Sequence, residues 1–514
     1  MTSLSESDQQ DCKAKKDVEI SNHSAAPYSR FGTSEKYFLV IVCASCGIFS
    51  SIAARIYYPA LNVIQEEFNV SQELLNISLV VYFIFQAITP SVIGGFADSW
   101  GRRPVILWSL AIYVAACIGL ARSSTYGQIL GLRCLQSAGI SPVIAINSGL
   151  LGDVTQRHER GGFIGIGSGI QLIGSAFGAV IGAGIISRWD WRAVFWFLAI
   201  GSGVSLTTSV FLMPETNRTI VGNGSIIPRN PLNRAPILLL PAVKKRMHIN
   251  NPDLESLAPS KKLDFSGPFK ILATPSVIVV LCVASMQFAI YQCQLTVLSS
   301  IVQDNYDLSI AQVGLCYLPS GICSLISVVT SGRVLNWNYK RRFAQHQLKL
   351  QTLKKELLET YGGDVKIVEE MLKTERQYKF NIYRTRLEVG FFPMILSFAG
   401  YIAFAWCIDV RTKLAAVLFC SGFASLFSNS IVSCTSTLLV DLYPEKSSSA
   451  TACLNLFRCS FAAIFVAALS SMEKKMSVGG TFTFMVAIAF LFAVIMVFVV
   501  GSKLAKDTAE ESFE

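Results

Sequence analysis

A chain of 514 residues that is 52% hydrophobic and only 15% charged carries more apolar surface than the cores of soluble domains use. Its apolar residues fall in runs of about twenty, and only an α-helix satisfies its own backbone hydrogen bonds while crossing roughly 30 Å of hydrocarbon. The net charge of +10 sits on the flanks of those runs, where it sets topology and meets anionic lipid, so it gives no reason to invoke nucleic acid.

Residues 1–36 are polar and mixed in charge, with Lys13, Lys15, Lys16 and Arg30 and no short apolar core before a small-residue cleavage site. They read as a disordered cytoplasmic tail and not as a removable signal peptide. Apolar runs predict spans at 37–60, 74–97, 103–121, 128–151, 162–187 and 193–213, a first six-helix bundle over 37–213. The segment 214–275, with Pro, Asn and Arg and little periodicity, reads as a flexible loop between bundles. Runs at 276–299, 310–333, 388–408, 413–436, 448–471 and 480–501 make a second bundle over 276–501, and 502–514 is a short tail. The expected class is an all-α membrane protein of twelve transmembrane helices.

Basic residues crowd the even loops: Arg102 and Arg103; Arg157 and Arg160; Lys244, Lys245, Arg246, Lys261 and Lys262; Lys340, Arg341 and Arg342. The first odd loop carries Glu66, Glu67 and Glu73 instead, so the positive-inside rule puts both termini in the cytoplasm. Within the insertion 343–387, Leu348, Leu350, Leu353, Leu357 and Leu358, then Ile367, Val368, Met371 and Leu372, recur at helical spacing on either side of Gly362 and Gly363. Two amphipathic helices joined by a turn give that pattern, either packed on the inner face or free to dock a partner.

Thirteen of the fourteen cysteines, all but Cys12, lie in apolar runs, where they act as small hydrophobic residues. The Cys43–Cys46 pair has CxxC spacing but sits in a span with no redox-fold pattern around it. His23, His158, His248 and His346 all fall in tails or loops, which leaves no buried histidine metal site and no expected metal. Asn69 and Asn76 head glycosylation sequons in the short first outer loop.

The two halves are related. Gly94, Asp98, Arg102 and Arg103 between spans two and three lie over Gly332, Asn336, Lys340 and Arg341 between spans eight and nine, and Leu151-Gly152-Asp153 lies over Leu439-Val440-Asp441. Asp98 precedes Asp153 by 55 positions and Asn336 precedes Asp441 by 105; the excess of 50 is close to the length of the insertion.

Parallel six-span repeats around a midplane site are the plan of the major facilitator transporters, and the motifs resemble theirs. Gly94 to Arg103 resembles the family's Gly-x-x-x-Asp-x-x-Gly-Arg-Arg loop. Arg133, Gln136 and Gly139 resemble the Arg-x-x-Gln-Gly motif of proton-coupled members, with Ser137 in place of a glycine. Gly174, Gly178 and Gly182 resemble the antiporter motif of span five, with Ala179 for its proline and Ala183 for its last glycine, so small residues are kept for close helix approach without a proline kink.

Ile56 to Leu61, Arg133 to Asp153, Trp189 to Leu198, Asn336 to Arg342 and Asn455 to Arg458 are similar to the fungal Qdr-type drug:proton antiporters. The resemblance implies two bundles related by a pseudo-twofold axis in a monomer at the plasma membrane. It also implies export of diverse toxic compounds, such as quinidine, azole-like antifungals and weak acids, driven by the proton gradient. No cofactor is expected, and the chain has no Gly-x-x-x-x-Gly-Lys-Ser/Thr nucleotide loop, so ATP is not the expected energy source.

Within that frame Asp98, Arg102 and Arg103 form an expected inner latch, the carboxylate accepting from a neighbouring helix N-terminus and from arginine. Its counterpart at Asn336 is expected to be weaker or to rest on neutral hydrogen bonds. An arginine inside a span is costly unless it faces a cavity or a partner, which makes Arg55, Arg133 and Arg458 functional candidates. By resemblance Arg133, with Gln136, takes part in proton coupling, as do Asp153 and Asp441. Arg55 either snorkels to the outer interface or lines the cavity, and Arg458 either holds Asp441 or meets substrate. Tyr82, Phe85 and Gln86 in span two and Gln287, Phe288, Tyr291 and Gln292 in span seven are candidate walls of the chamber.

The carboxylates near the bundles all read as lying at the cytoplasmic ends, at Asp98, Asp153 and Asp441. Neutral and anionic substrates are therefore expected to be handled at least as well as organic cations. Competing readings are export of one metabolite, such as an organic acid or a dityrosine-like compound, and a nontransporting sensor on the same fold. A membrane-embedded enzyme finds no support, since neither HxxxD nor DxxD appears where lipid chemistry would need it.

Overall fold

The structure, a computed structural model, describes residues 29–156, 159–239, 271–360, 381–443 and 447–509, together with 241, 246, 253, 256–258, 365 and 368. Several expectations fall outside the described residues: most of the tail (1–28), Arg157, His158, Lys244, Lys245, His248, Lys261 and Lys262, and Gly362, Gly363, Ile367, Met371 and Leu372 of the insertion.

The first span is built from α1 (Thr33–Ile56), a 3-10 turn at Tyr58–Ala60 and α2 (Leu61–Phe68). The first bundle continues through α3 (Gln72–Trp100), α4 (Arg102–Ala121), α5 (Tyr126–Val154), α6 (Arg160–Ile186) and α7 (Arg192–Leu212), and a short α8 (Arg218–Val221) follows. The second bundle holds α9 (Pro275–Tyr306), α10 (Ile310–Cys316) running into α11 (Leu318–Thr360), α12 (Ile382–Asp409), α13 (Leu414–Leu442) and α14 (Ser447–Ala509). Among the described residues eleven helices are long and apolar enough to cross a membrane. The last, α14, has a non-helical residue at Ser477 (φ 62°, ψ 175°), which divides its 63 residues into two spans and makes the expected twelve.

Helix starts follow local chemistry. Ser71 Oγ accepts from Leu74 N, Thr125 Oγ1 from Gln128 N and Asn381 Oδ1 from Arg384 N, each satisfying an amide that an N-terminus leaves free. The α3–α4 corner turns at Gly101, whose φ of 115° suits glycine, and a Cβ there would also run into the Glu215 carboxylate.

Packing repeats between halves: α1 lies on α6, α3 on α5, and α4 on α5 and α7, while α9 lies on α14, α11 on α13, and α12 on α13 and α14. An even number of spans puts both chain ends on one side, called here the termini side; the other is the far side.

Two connections differ from expectation. The start of the 214–275 segment is docked on the first bundle, with Glu215, Thr216, Asn217 and Asn233 all buried. Asn217 Nδ2 donates to the Asp98 carbonyl (2.8 Å) and Asn233 Nδ2 to the Trp100 carbonyl (3.1 Å). This segment is held because it satisfies backbone groups that the α3–α4 corner cannot pair internally. The first half of the insertion is no separate helix either: α11 runs unbroken for 43 residues, about 65 Å, from the wall of the second bundle to Thr360. Its stem is pinned to α12 by a two-pronged Arg342–Glu388 pair (2.6 and 3.0 Å) and by Asn338 Nδ2 donating to the Thr385 carbonyl (2.8 Å).

Candidate functional site

The two bundles are sealed on the far side. Asn62 Nδ2 donates to the Ser299 carbonyl (3.0 Å), Ser299 Oγ to the Tyr58 carbonyl (2.6 Å) and Asn76 Nδ2 to Ser470 Oγ (2.9 Å), and Lys474 pairs with Glu73 at 2.7 Å. Small residues close the remaining seam between α6 and α10–α11: a Cβ on Gly314 would overlap the Ala183 Cβ, and one on Gly321 would come within 2.6 Å of the Ala176 carbonyl oxygen. The positions that depart from the span-five motif, Ala179 and Ala183, belong to this seam, and α6 crosses without a kink. The deepest joining hydrogen bond on the α3–α14 side is from Asn455 Nδ2 to the Gln86 carbonyl (2.7 Å). Among the described residues no hydrogen bond or ion pair joins the bundles at their termini-side ends.

The three motif glycines face the opposite way, toward α1. A Cβ on Gly174 would meet the Ile48 side chain at 2.8 Å, one on Gly178 the Arg55 Cβ at 2.9 Å, and one on Gly182 the Ile56 carbonyl at 2.5 Å. Glycines four apart therefore let α6 approach α1 at Ile48, Ile52 and Ile56, and Gly178 fixes where Arg55 stands.

Arg133 is buried inside the first bundle, only 1% exposed. Its guanidinium carbon lies 4.1 Å from the Tyr57 ring centroid and 4.3 Å from that of Tyr82. Nη1 donates to Gln136 Oε1 (2.7 Å), Gln136 Nε2 reaches Cys117 Sγ (3.3 Å), and the Arg133 Nε has no partner among the described residues. Two π faces and one amide oxygen thus stand where a carboxylate would be expected. Ser137 Oγ donates to the Tyr82 carbonyl (2.6 Å), and Gly139 lets α5 press on the α4 backbone at Ser109 and Tyr113. Tyr82 is therefore a wall of the Arg133 cage and not of the open chamber.

Between the bundles, Arg55 donates to Gln292 Oε1 (2.9 Å) and Ser175 Oγ (3.3 Å) and lies 5.0 Å from the Tyr291 ring centroid. Because helix continues through α2 to Phe68, Arg55 stands well inside the first span, which rules out snorkelling at the outer boundary. Arg458 donates to Asn455 Oδ1 (2.8 Å) and lies 4.8 Å from the Phe288 centroid. It does not hold Asp441; Arg386, at the start of α12, does so at 2.7 Å. Phe288, Tyr291 and Gln292 thus share the α9 face turned to these arginines. Gln287 points elsewhere: it bonds Ser397 Oγ (2.8 Å) and Ser428 Oγ (3.4 Å) inside the second bundle, as a residue about 100° round the helix from Phe288 must. Phe85 is 38% exposed and joins no hydrogen bond or ring pair among the described residues.

At the termini side Arg102 bridges Asp98 (2.6 Å) and Asp153 (3.1 Å). The expected second part of the latch is different: the N-terminus of α4 is capped by Glu215, which accepts from the amides of Arg102 (2.9 Å) and Arg103 (3.1 Å), and Asp98 is not involved. The Arg103 guanidinium pairs with no carboxylate among the described residues and donates to the carbonyls of Val210 (2.6 Å), Met213 (2.8 Å) and Leu232. The second-half counterpart of the Arg102–Asp153 pair is Arg386–Asp441, a charged pair; Asn336 is exposed and makes no bond among the described residues. The insertion had hidden this, because it lies between Asn336 and Arg386.

Glu215 had a legible signal, being the sole acidic residue between Asp190 and Asp253. Glu215→Ala is expected to cost about 2–3 kcal/mol by uncapping two amides, read as a lowered unfolding temperature in detergent, with Glu215→Gln in between. The sequence also missed Glu473 and Asp409 on the far side. Glu473 lies in the last helical turn before the Ser477 break; its Oε1 is sealed from water and unpaired among the described residues, and Asp409 is the charge that acts on it. Asp409 itself caps the helix restart, accepting from Ser477 Oγ (2.6 Å), Val478 N (3.2 Å) and Gly479 N (2.7 Å). Of the two sequons, Asn69 is an exposed left-handed cap of α2, but Asn76 is fully buried against Ser470 and is no glycan acceptor in this state.

The sequence model described as the Major Facilitator Superfamily matches residues 43–345. The chain is 53% identical over 470 residues to the multidrug transporter QDR2 of Candida glabrata, covering 91% of this chain and 81% of that one. It is 50% identical over 489 residues to quinidine resistance protein 1 of Saccharomyces cerevisiae, covering 95% and 87%. Among solved structures it is similar to the xylose transporter XylE from E. coli in a partially occluded inward-open conformation, with a TM-score of 0.59, 14% identity, and 90% and 97% coverage.

Proposed function

This chain belongs to the Major Facilitator Superfamily, and we propose that it exports drug-like organic compounds, quinidine among them, from a fungal cell by proton-coupled alternating access. The relatives' names supply the substrate class. The observation that carries the mechanism is the asymmetry between sides: among the described residues, the bundles are bonded across the far side and no bond joins them on the termini side. With both termini in the cytoplasm at the plasma membrane, as the basic loops favour, this is the state that loads substrate from inside.

In this reading Arg102 with Asp98 and Asp153, and Arg386 with Asp441, are termini-side pairs that rearrange when that side closes, and Arg133 supplies a fixed positive field to the coupling path. Its guanidinium stays charged, so the moving proton needs another carrier. Glu473 is the carrier we assign: a carboxyl oxygen cut off from water with no hydrogen-bond partner among the described residues is costly when charged.

Quinidine-driven proton movement in proteoliposomes tests the reading. Flux with a proton counterflow is the expected result, and quinidine binding without flux would leave the sensor reading in its place. Glu473→Gln is expected to uncouple the two, while Arg192→Gln, which opens a half-exposed far-side pair with Glu67, leaves proton counterflow within about twofold.

A further inference from the structure

We propose that Arg55 and Arg458 together form an anion site spanning the two bundles, so that the chamber holds best an organic carboxylate with an aromatic or apolar body. The inference rests on the transport reading above and names the substrate chemistry of the same chamber.

The two cations come from different bundles, α1 and α14, yet cover successive rungs of one helix. Arg55 stands over Tyr291 and Arg458 over Phe288, and residues three apart on α9 carry their side chains roughly 5–6 Å from each other. Two guanidinium groups gathered over neighbouring rings of one helix repel unless an anion lies with them. No anion of the protein does: neither arginine is in an ion pair among the described residues, and their partners, Gln292, Ser175 and Asn455, are all neutral. Arg458 Nε is buried without an acceptor among the described residues.

The paired or buried carboxylates lie toward the ends of the bundles. Asp98, Asp153 and Asp441 are committed to Arg102 and Arg386 on the termini side, and Glu67, Glu73, Asp409 and Glu473 lie on the far side. The middle therefore carries uncompensated positive charge, in surroundings where a carboxylate accepting from a guanidinium fork is worth most.

Around the cations the walls fit one chemical type. The Phe288 and Tyr291 rings give an aromatic floor, and Ser324, which donates to Tyr291 Oη (3.1 Å) and accepts from Asn429 (2.9 Å), gives a neutral polar edge. An aromatic acid lays its ring on that floor and its carboxylate between the arginines. Since each bundle supplies one arginine, the bound acid joins the halves, and its departure removes the attraction that holds them together.

The test compares naproxen, a naphthyl carboxylate, with its methyl ester, which has nearly the same shape and no charge. Binding is measured by titration on the full-length protein in nanodiscs. Wild type is expected to prefer the acid by about tenfold or more, and Arg55→Gln and Arg458→Gln each to reduce that acid-to-ester ratio toward one. Arg458→Lys keeps a point charge and is expected to retain part of the preference. A general loss of folding or packing moves acid and ester together and leaves the ratio alone, so the ratio reads the charge.

A wild-type ratio near one, or a ratio unchanged in both glutamine variants, overturns the inference. Quinidine flux by wild type in proteoliposomes separates the two levels: its presence alongside a ratio near one sinks only the anion site, and its absence sinks the transport reading.

Discussion

Gly314→Val is expected to reduce transport by about a hundredfold in a protein that still folds. The first atom of the new side chain overlaps the Ala183 Cβ, and Gly321 one turn pair below leaves no slack against the Ala176 carbonyl. Overpacking of this kind costs about 1–3 kcal/mol where the neighbours cannot yield, and here relief is available by parting the bundles on the far side. At about 1.4 kcal/mol per tenfold, the upper end of that range moves the conformational balance by roughly a hundredfold toward the far-side-open state. Ser470, buried under Asn76, reports the change. A cysteine placed there should react slowly with an impermeant maleimide in wild type and fast in the valine variant. Equal labelling with transport lost would mean that the substitution acts by some route other than state selection.

Arg133→Lys is expected to do nearly as much damage as Arg133→Ala, about a hundredfold loss of quinidine-coupled proton movement. The guanidinium plane fits between two tyrosine rings whose centroids are 4.1 and 4.3 Å away, contacts worth about 1–2 kcal/mol each when desolvated. An ammonium is a hydrated point charge that cannot lie flat between two faces or keep Gln136 turned by a fork, so charge alone does not restore the site. Proteoliposome assays of both variants decide the matter: a lysine protein close to wild type means that only the positive field matters there and that the cage is packing.

Much of the fold was readable because the bilayer imposes so strong a rule on the chain. Runs of apolar residues located the spans, although the first runs on to Phe68 and the eighth to Thr360, well past the ends expected at 60 and 333; the repeat followed from Asp153 and Asp441, and the glycines at 174, 178 and 182 fell on the helix face that their spacing implies. What sequence could not provide was the direction of long side chains. Gln287 and Phe288 are neighbours in the chain but face a bundle interior and the chamber respectively, and nothing in composition distinguishes the two. Arg458 was as plausible beside Asp441 as over Phe288 until the depth of Arg386 was known. Connections were read least well, since the periodicity that marks a membrane helix is absent from a segment such as 214–239, which is ordered by single polar residues pairing with the corner of another loop.

The unbroken α11 has a mechanical side. Its upper turns are part of the second bundle, and the ties to α12 clamp its stem, so beyond Arg342 it behaves as a pointer fixed to a rocking body. A rigid-body rotation of roughly 15°, as found in other switching proteins, would sweep a tip roughly 30 Å out through about 8 Å. A small angular change in the hydrocarbon is thereby magnified into a displacement in water, where a spin or fluorescent label near Glu359, close to the tip, could follow each turnover in real time.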